Sequence, residues 1–326
     1  MIWSMKKVRA VIPFRTNNNI LQSELTLGTA QLGLNYGIAN TSGLPSVDQA
    51  VEMIRYAIDH GLTHIDSARA YGEAESRIGE ALLSGYAELV KVITKLDPLM
   101  ESYSFNSALC LHKGVEASVF RSCRELRSRT IDTLLLHRWK DRYIHGGEIW
   151  QRLVDLKGEG VIKTLGASVQ TPEEALQALA EPEINHLQLP FNILDWRWKR
   201  KDVDQAILRR GDVVVHARST LLQGLLANKS VNSSLPNTPK ELALKLEQAL
   251  DCLVNDLKRY NRTDLCFAYV RAQPWIDSLV VGAETMLQLK ENIALFQNPP
   301  LTADECATVE ASLTGAPVEL LDPSKW

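Results

Sequence analysis

Apolar positions along this chain fall into two alternating rhythms. Short, nearly continuous apolar runs begin near residues 25, 63, 90, 132, 161, 186, 212 and 278, the pattern of parallel strands buried on both faces. Between them the apolar positions return every three or four residues, as on one face of a helix. Helices are predicted over 46–60, capped by Ser46 and stopped by Gly61, and over 73–83, 115–126 and 148–156, the last stopped by Gly158 and Gly160. Pro172 opens another after Thr171, where its missing N–H costs nothing, and two more cover 203–209 and 265–272. Ahead of the first run, residues 8–14 and 20–25 flank Asn17, Asn18 and Asn19, a hairpin signal.

Eight strands alternating with helices predict an α/β fold, a single (β/α)8 TIM barrel with an N-terminal β-hairpin and extra helices. One domain over 1–326 is expected, with residues 1–24 as the hairpin region. Two stretches break the alternation. Residues 221–258 hold a polar loop and then a helix starting near Pro239, and loops on the carboxyl side of barrel strands commonly cover the site. The tail, 299–326, adds a helix near 303–313 and ends in LLDPSKW, which either folds over the opening or stays loose.

Composition narrows the class without changing the fold. At 326 residues and 45% hydrophobic content the chain suits a soluble protein with a full core, and no apolar run approaches the ~20 residues that span a bilayer. A net charge of −3 predicts neither nucleic-acid nor membrane partners. The five cysteines form no C-x-x-C pair, no metal-ligand cluster is read, and the opening MIWSMKKVRAVIPF is broken too early by Pro13 for a signal peptide. A cytoplasmic protein with reduced thiols is expected.

The chemistry concentrates between Thr63 and Lys95. Asp66 ends one strand, Tyr71 sits in a turn closed by Gly72, and Lys95 ends the next strand. A carboxylate keeps an amine protonated, and an ammonium near a phenol favours phenolate, so a group that titrates near ~10 becomes a usable acid. Such an acid suits protonation of a carbonyl oxygen while hydride reaches its carbon. The run IDTLLLH then brings His137 to the carboxyl end of a further strand.

These residues, with the segments GTAQLG, DSARAYGEAESRIGEAL, ITK and LLLH around them, closely resemble the aldo-keto reductase family over about 25–292. The resemblance implies a catalytic set of Asp66, Tyr71, Lys95 and His137 and a nicotinamide cofactor, with NADPH the expected donor and NADH possible. It also implies a hairpin closing the end of the barrel away from the site. Gly28, Thr29 and Gly33 lie where backbone would approach the cofactor. Ser168 and Gln188 match the carboxamide ligands, although Val169 replaces the usual Asn. ARSTLLQGLL resembles the segment under the nicotinamide ring, which brings in Arg218 at the stacking position, Ser219, Leu221, Gln223 and Gly224. Gly282, Gln288, Glu291 and Asn292 match the adenosine-phosphate segment, with Glu284 in place of a small hydroxyl residue. A carboxylate there repels a 2′-phosphate and weakens the preference for NADPH.

The function expected is NAD(P)H-dependent reduction of a small-molecule aldehyde or ketone. Two other readings stay open, a Schiff-base lyase through Lys95 and a nicotinamide-binding regulatory subunit. For the substrate, Tyr36, Arg69, Arg138 and Trp139 are candidates, and with Arg197, Arg218, Trp196 and Trp198 they could form a positive, flat-walled pocket for an anionic or sugar carbonyl. The arginines could equally pair with Glu73 or Asp195.

Overall fold

The computed structural model describes residues 12–17, 20–38, 40, 42–98, 107–227 and 235–326. Strands β1 (Phe14–Asn17) and β2 (Ile20–Ser23) pair antiparallel as the N-terminal hairpin. Eight strands follow: β3 (Leu25–Gly28), β4 (His64–Asp66), β5 (Lys91–Lys95), β6 (Ile131–Leu136), β7 (Ile162–Ser168), β8 (His186–Pro190), β9 (Val214–Arg218) and β10 (Ser278–Gly282). Each pairs in parallel with its neighbour in sequence, and β10 returns to β3, so the sheet closes into a barrel. Each of the eight expected barrel strands is present to within a few residues.

The helices form for the reasons legible in their ends. Ser46 makes a reciprocal capping box with Gln49 at the start of Val47–Asp59, and Thr171 caps Pro172–Leu179. The helix expected over 115–126 runs instead over Ala108–Glu125, because Ser107 accepts a bond from the Cys110 N–H and buries Leu111 one turn earlier. The first hairpin strand extends to Asn17, beyond the expected Phe14; residues 8–11, Asn18 and Asn19 lie outside the described residues. So does 228–234, most of the polar loop before the helix Lys240–Asp256.

The hairpin seals the amino end of the barrel. Ser23 N–H donates to Thr63 Oγ1 at 2.9 Å, just ahead of β4, and Gln22 reaches His216 inside the barrel at 3.1 Å. His216 lies 4.4 Å from His186 and 5.7 Å from His64, ring centre to ring centre. Burial pulls the pKa of His64 down to about 4 and that of His186 to about 3, and holds His216 well below the ordinary value.

The tail is docked. Leu320 and Leu321 are fully buried, Trp196 Nε1 donates to Ala316 O at 2.9 Å, and Gln170 Nε2 donates to Asp322 Oδ1 at 3.0 Å. Gln170 follows β7 and Trp196 follows β8, so the chain end sits on loops at the carboxyl side of the barrel. Among the described residues no helix is long and apolar enough to cross a membrane.

Candidate active site

Three strand ends and one turn bring the candidate catalytic residues together. Lys95, at the end of β5, is almost wholly buried, and its Nζ donates to Asp66 Oδ1 at 2.8 Å, Asp66 Oδ2 at 2.9 Å and Ser67 O at 2.8 Å. The two Asp66 contacts share one side of the ammonium and the Ser67 contact takes another, so the amine is held against a carboxylate and a carbonyl. The same Nζ lies 5.1 Å from the centre of the Tyr71 ring, and that ring meets His137 edge-on at 6.1 Å. The four residues named from the sequence therefore converge. His137 has a buried Nδ1 without a partner, and burial, then the cations Lys95, Arg218 and Arg138, lower its pKa to about 3. It is neutral at physiological pH.

The turn that carries Tyr71 is held by close backbone packing. A Cβ on Gly33 would stand 2.0 Å from Tyr71 O, and one on Gly72, at φ +54°, would stand 2.4 Å from Gly33 O. Gly33, the last residue of the short helix Ala30–Gly33, thus packs its backbone directly against the Tyr71 turn. Gly28 serves the barrel wall, 3.2 Å from a Val280 methyl by the same measure, and Thr29 donates from both its N–H and its Oγ1 to Asp66 O. Tyr36 stands at the rim, 41% exposed. Burial of its phenol, then the neighbouring Tyr71, raises its pKa.

The expected cofactor residues fall along the carboxyl ends of β7 to β10. Ser168 and Gln188 are side by side in register, and Gln188, fully buried, donates from Nε2 to Asp66 Oδ1 while its Oε1 has no partner. That orphaned acceptor fits a carboxamide NH2. Arg218 Nη2 donates to Val169 O at 3.2 Å and Gln170 Oε1 at 2.7 Å. In the next segment Ser219, Leu222 and Gln223 all have positive φ, with Gly224 completing the curl beside Leu221. Strained backbone of this kind gathers at ligand-binding segments, and nothing in the sequence announced it. After β10, Gln288 Oε1 accepts from Glu284 N at 2.8 Å, Asn292 Nδ2 donates to Gly282 O at 3.4 Å, and Thr285 caps the helix Met286–Leu295, while Glu291 is exposed. This leaves a capped helix N-terminus, a favourable place for an anion. Burial raises the pKa of Glu284.

Comparison with known proteins identifies the family. The family model described as "Aldo/keto reductase family" matches residues 24–314. The chain belongs to the aldo/keto reductase family. Its relatives include an L-glyceraldehyde 3-phosphate reductase of Escherichia coli O157:H7, 24% identical over 331 residues and covering 93% of this chain and 94% of that one. An NADH-specific methylglyoxal reductase of Escherichia coli K12 is 27% identical over 307 residues, covering 87% and 92%. The solved holo form of an aldo-keto reductase from Bacillus halodurans shares the fold with a TM-score of 0.76 at 22% identity, over 94% of this chain and 97% of that one. The protein is thus an oxidoreductase of a family that reduces carbonyls with nicotinamide cofactors.

Within this aldo/keto reductase the four arginines at the barrel mouth have different surroundings. Arg69 forms a buried ion pair with Glu75, Arg197 holds Asp195 through two bonds of 2.8 and 2.7 Å, and Arg138 lies 3.5 Å from Asp141. The hydrogen bonds of Arg218 go to neutral oxygens. Trp139 is buried, with Nε1 donating to Gln177 Oε1 at 2.9 Å, and Trp198 is buried too, whereas Trp196 is half exposed. Sequence reasoning missed Glu75 and Thr94, which bond to each other at 2.6 Å beneath the Tyr71 turn. A signal existed, since Glu75 lies three residues before Ile78 and seven before Leu82, on the apolar face of its helix.

Proposed function

We propose that this aldo/keto reductase uses NADPH to reduce an aldehyde or ketone, sugar and anionic carbonyls included, with Tyr71 as the proton donor. The observation that carries the reading is the buried Lys95 ammonium, fixed by Asp66 and Ser67 and held 5.1 Å from the Tyr71 ring. Bound nicotinamide would supply hydride to the carbonyl carbon. The residues that would hold it are Ser168, Gln188, Arg218 and the curl of Ser219, Leu221, Gln223 and Gly224, with Gly282, Gln288, Glu291 and Asn292 around the adenosine end.

Tyr71 passes its proton to the carbonyl oxygen, and the phenolate left behind is stabilised by the Lys95 ammonium. Asp66 neutralises that ammonium and keeps it in place. His137, neutral near pH 7, offers an N–H to the carbonyl oxygen and orients it, leaving the acid role to Tyr71. The lyase reading loses support, because a Schiff base needs a free amine and Lys95 is ion-paired with the buried Asp66 carboxylate. A regulatory subunit with little turnover has no need of the Tyr71–Lys95 apposition.

NADPH is favoured over NADH only weakly, since Glu284 sits beside the helix end that would take a 2′-phosphate; the NADH-specific relative is in keeping with a small bias. The enzyme is read as cytoplasmic, acting on small molecules without nucleic-acid or membrane partners. The test is Tyr71→Phe, assayed on the best substrate from a panel of aldehydes, ketones and keto sugars. Turnover should fall by at least about 10²-fold while NADPH still binds, because the ring stays and only the acid is lost. Turnover retained by Tyr71→Phe sinks the assignment, and His137→Ala should lower kcat and raise KM.

A further inference from the structure

We propose that Glu75 is a positioning residue for the proton donor: it binds Arg69 of the Tyr71 turn and Thr94 of β5 at the same time, and so sets how closely Tyr71 stands to Lys95. The inference rests on the reductase reading for the role it gives Tyr71.

Arg69 is 8% exposed and Glu75 is 1% exposed, a buried ion pair for which proton transfer has no direct use. Removing two charges from water often costs more than their attraction returns, so such a pair is a poor stabiliser and a good specifier of geometry. Here the bonds close a ring. Arg69 N–H donates to Lys95 O at 3.1 Å, Arg69 Nη1 reaches Glu75 Oε2, and Glu75 Oε1 accepts from Thr94 Oγ1 at 2.6 Å. Thr94 is the peptide neighbour of Lys95, which completes the circuit. Arg69 Nη2 also leans on Gly72 O at 3.4 Å, so Tyr71 is bracketed by residues that the ring holds.

Successive side chains leave a strand on opposite faces. Lys95 turns to Asp66 and Tyr71, while Thr94 turns to the helix Ala74–Ala81 that carries Glu75. The end of β5 is therefore gripped on both faces, and the turn cannot shift against Lys95 without pulling on a buried charge.

Thr94→Val removes one donor, keeps the shape of the side chain and leaves the Arg69–Glu75 pair intact; Thr94→Ser keeps the hydroxyl. A 1 Å misplacement costs about 10²-fold in rate, and partial release of the turn in Thr94→Val should cost about tenfold in kcat. KM and NADPH affinity should stay within about twofold, and Thr94→Ser should restore kcat. Amide hydrogen exchange over residues 67–75 should quicken in Thr94→Val and return in Thr94→Ser. Unchanged exchange overturns the inference. So does a parallel fall of kcat, cofactor affinity and thermal stability that Ser does not restore, the mark of a merely structural role. The exchange measurement needs no turnover: if the wild-type enzyme reduced no carbonyl, the reductase reading would fail while the tie between Thr94 and the turn would still be decided.

Discussion

Gln188 Nε2 donates to Asp66 Oδ1 at 2.7 Å although the two residues stand 122 positions apart. The bond fixes the amide, with its NH2 on the carboxylate and its Oε1 buried and unpartnered. Gln188→Leu deletes that acceptor and should weaken NADPH binding about tenfold, or about 1.4 kcal/mol, in a fluorescence titration. Unaltered affinity would show that the orphaned oxygen does not meet the cofactor.

Gly33→Ala tests the packing of the Tyr71 turn. Its Cβ would lie 2.0 Å from Tyr71 O and 2.6 Å from Ala74 N, both backbone atoms that yield only if a loop moves. Overpacking of this kind costs about 1–3 kcal/mol, to be read in chemical denaturation, and kcat should fall with it. A variant as stable and as active as the wild type would contradict the close approach.

Glu284→Ser should strengthen NADPH binding more than NADH binding. The substitution removes a carboxylate beside the capped end of the helix Met286–Leu295, where a 2′-phosphate would be repelled. Equal effects on the two cofactors would move that phosphate elsewhere.

Acid should destabilise the barrel from within. His64, His186 and His216 have folded-state pKa values depressed from 6.5, to about 4, to about 3 and well below the ordinary value. Depressed bases bind fewer protons folded than unfolded, so their contribution is complete above the unfolded pKa and is lost as pH falls toward the folded one. Between pH about 6.5 and about 5, thermal stability should drop, each histidine contributing up to about 1.4 kcal/mol per pH unit. His186→Gln should flatten the slope, and a slope that does not change would remove His186 from the account.

Charge preference should now rest on Arg218. Arg69, Arg138 and Arg197 lie against carboxylates, whereas the bonds of Arg218 go to neutral oxygens. An anionic carbonyl should beat its neutral analogue in kcat/KM at low salt, added salt should shrink the gap, and Arg218→Met should remove more of it than Arg138→Met. Equal turnover of both substrates at low salt would end the case for an anionic carbonyl.

Periodicity alone made the barrel legible, because a parallel strand buried on both faces shows as an apolar run, and Asp66 and Lys95 end two such runs while His137 directly follows a third. Caps such as Ser46 and Thr171 were equally plain, since capping is local chemistry. Partner choice was not. Glu75 meets Thr94 across 19 positions and Gln170 meets Asp322 across 152, so the ring around Tyr71 and the docking of the tail exist only once the barrel has closed. The same holds for Arg69, whose charge looked available for substrate in the sequence and is taken by Glu75 in the fold. Periodicity records which face of an element is buried, whereas a hydrogen bond depends on distances of a few ångströms between elements, and those are set only by how the elements pack.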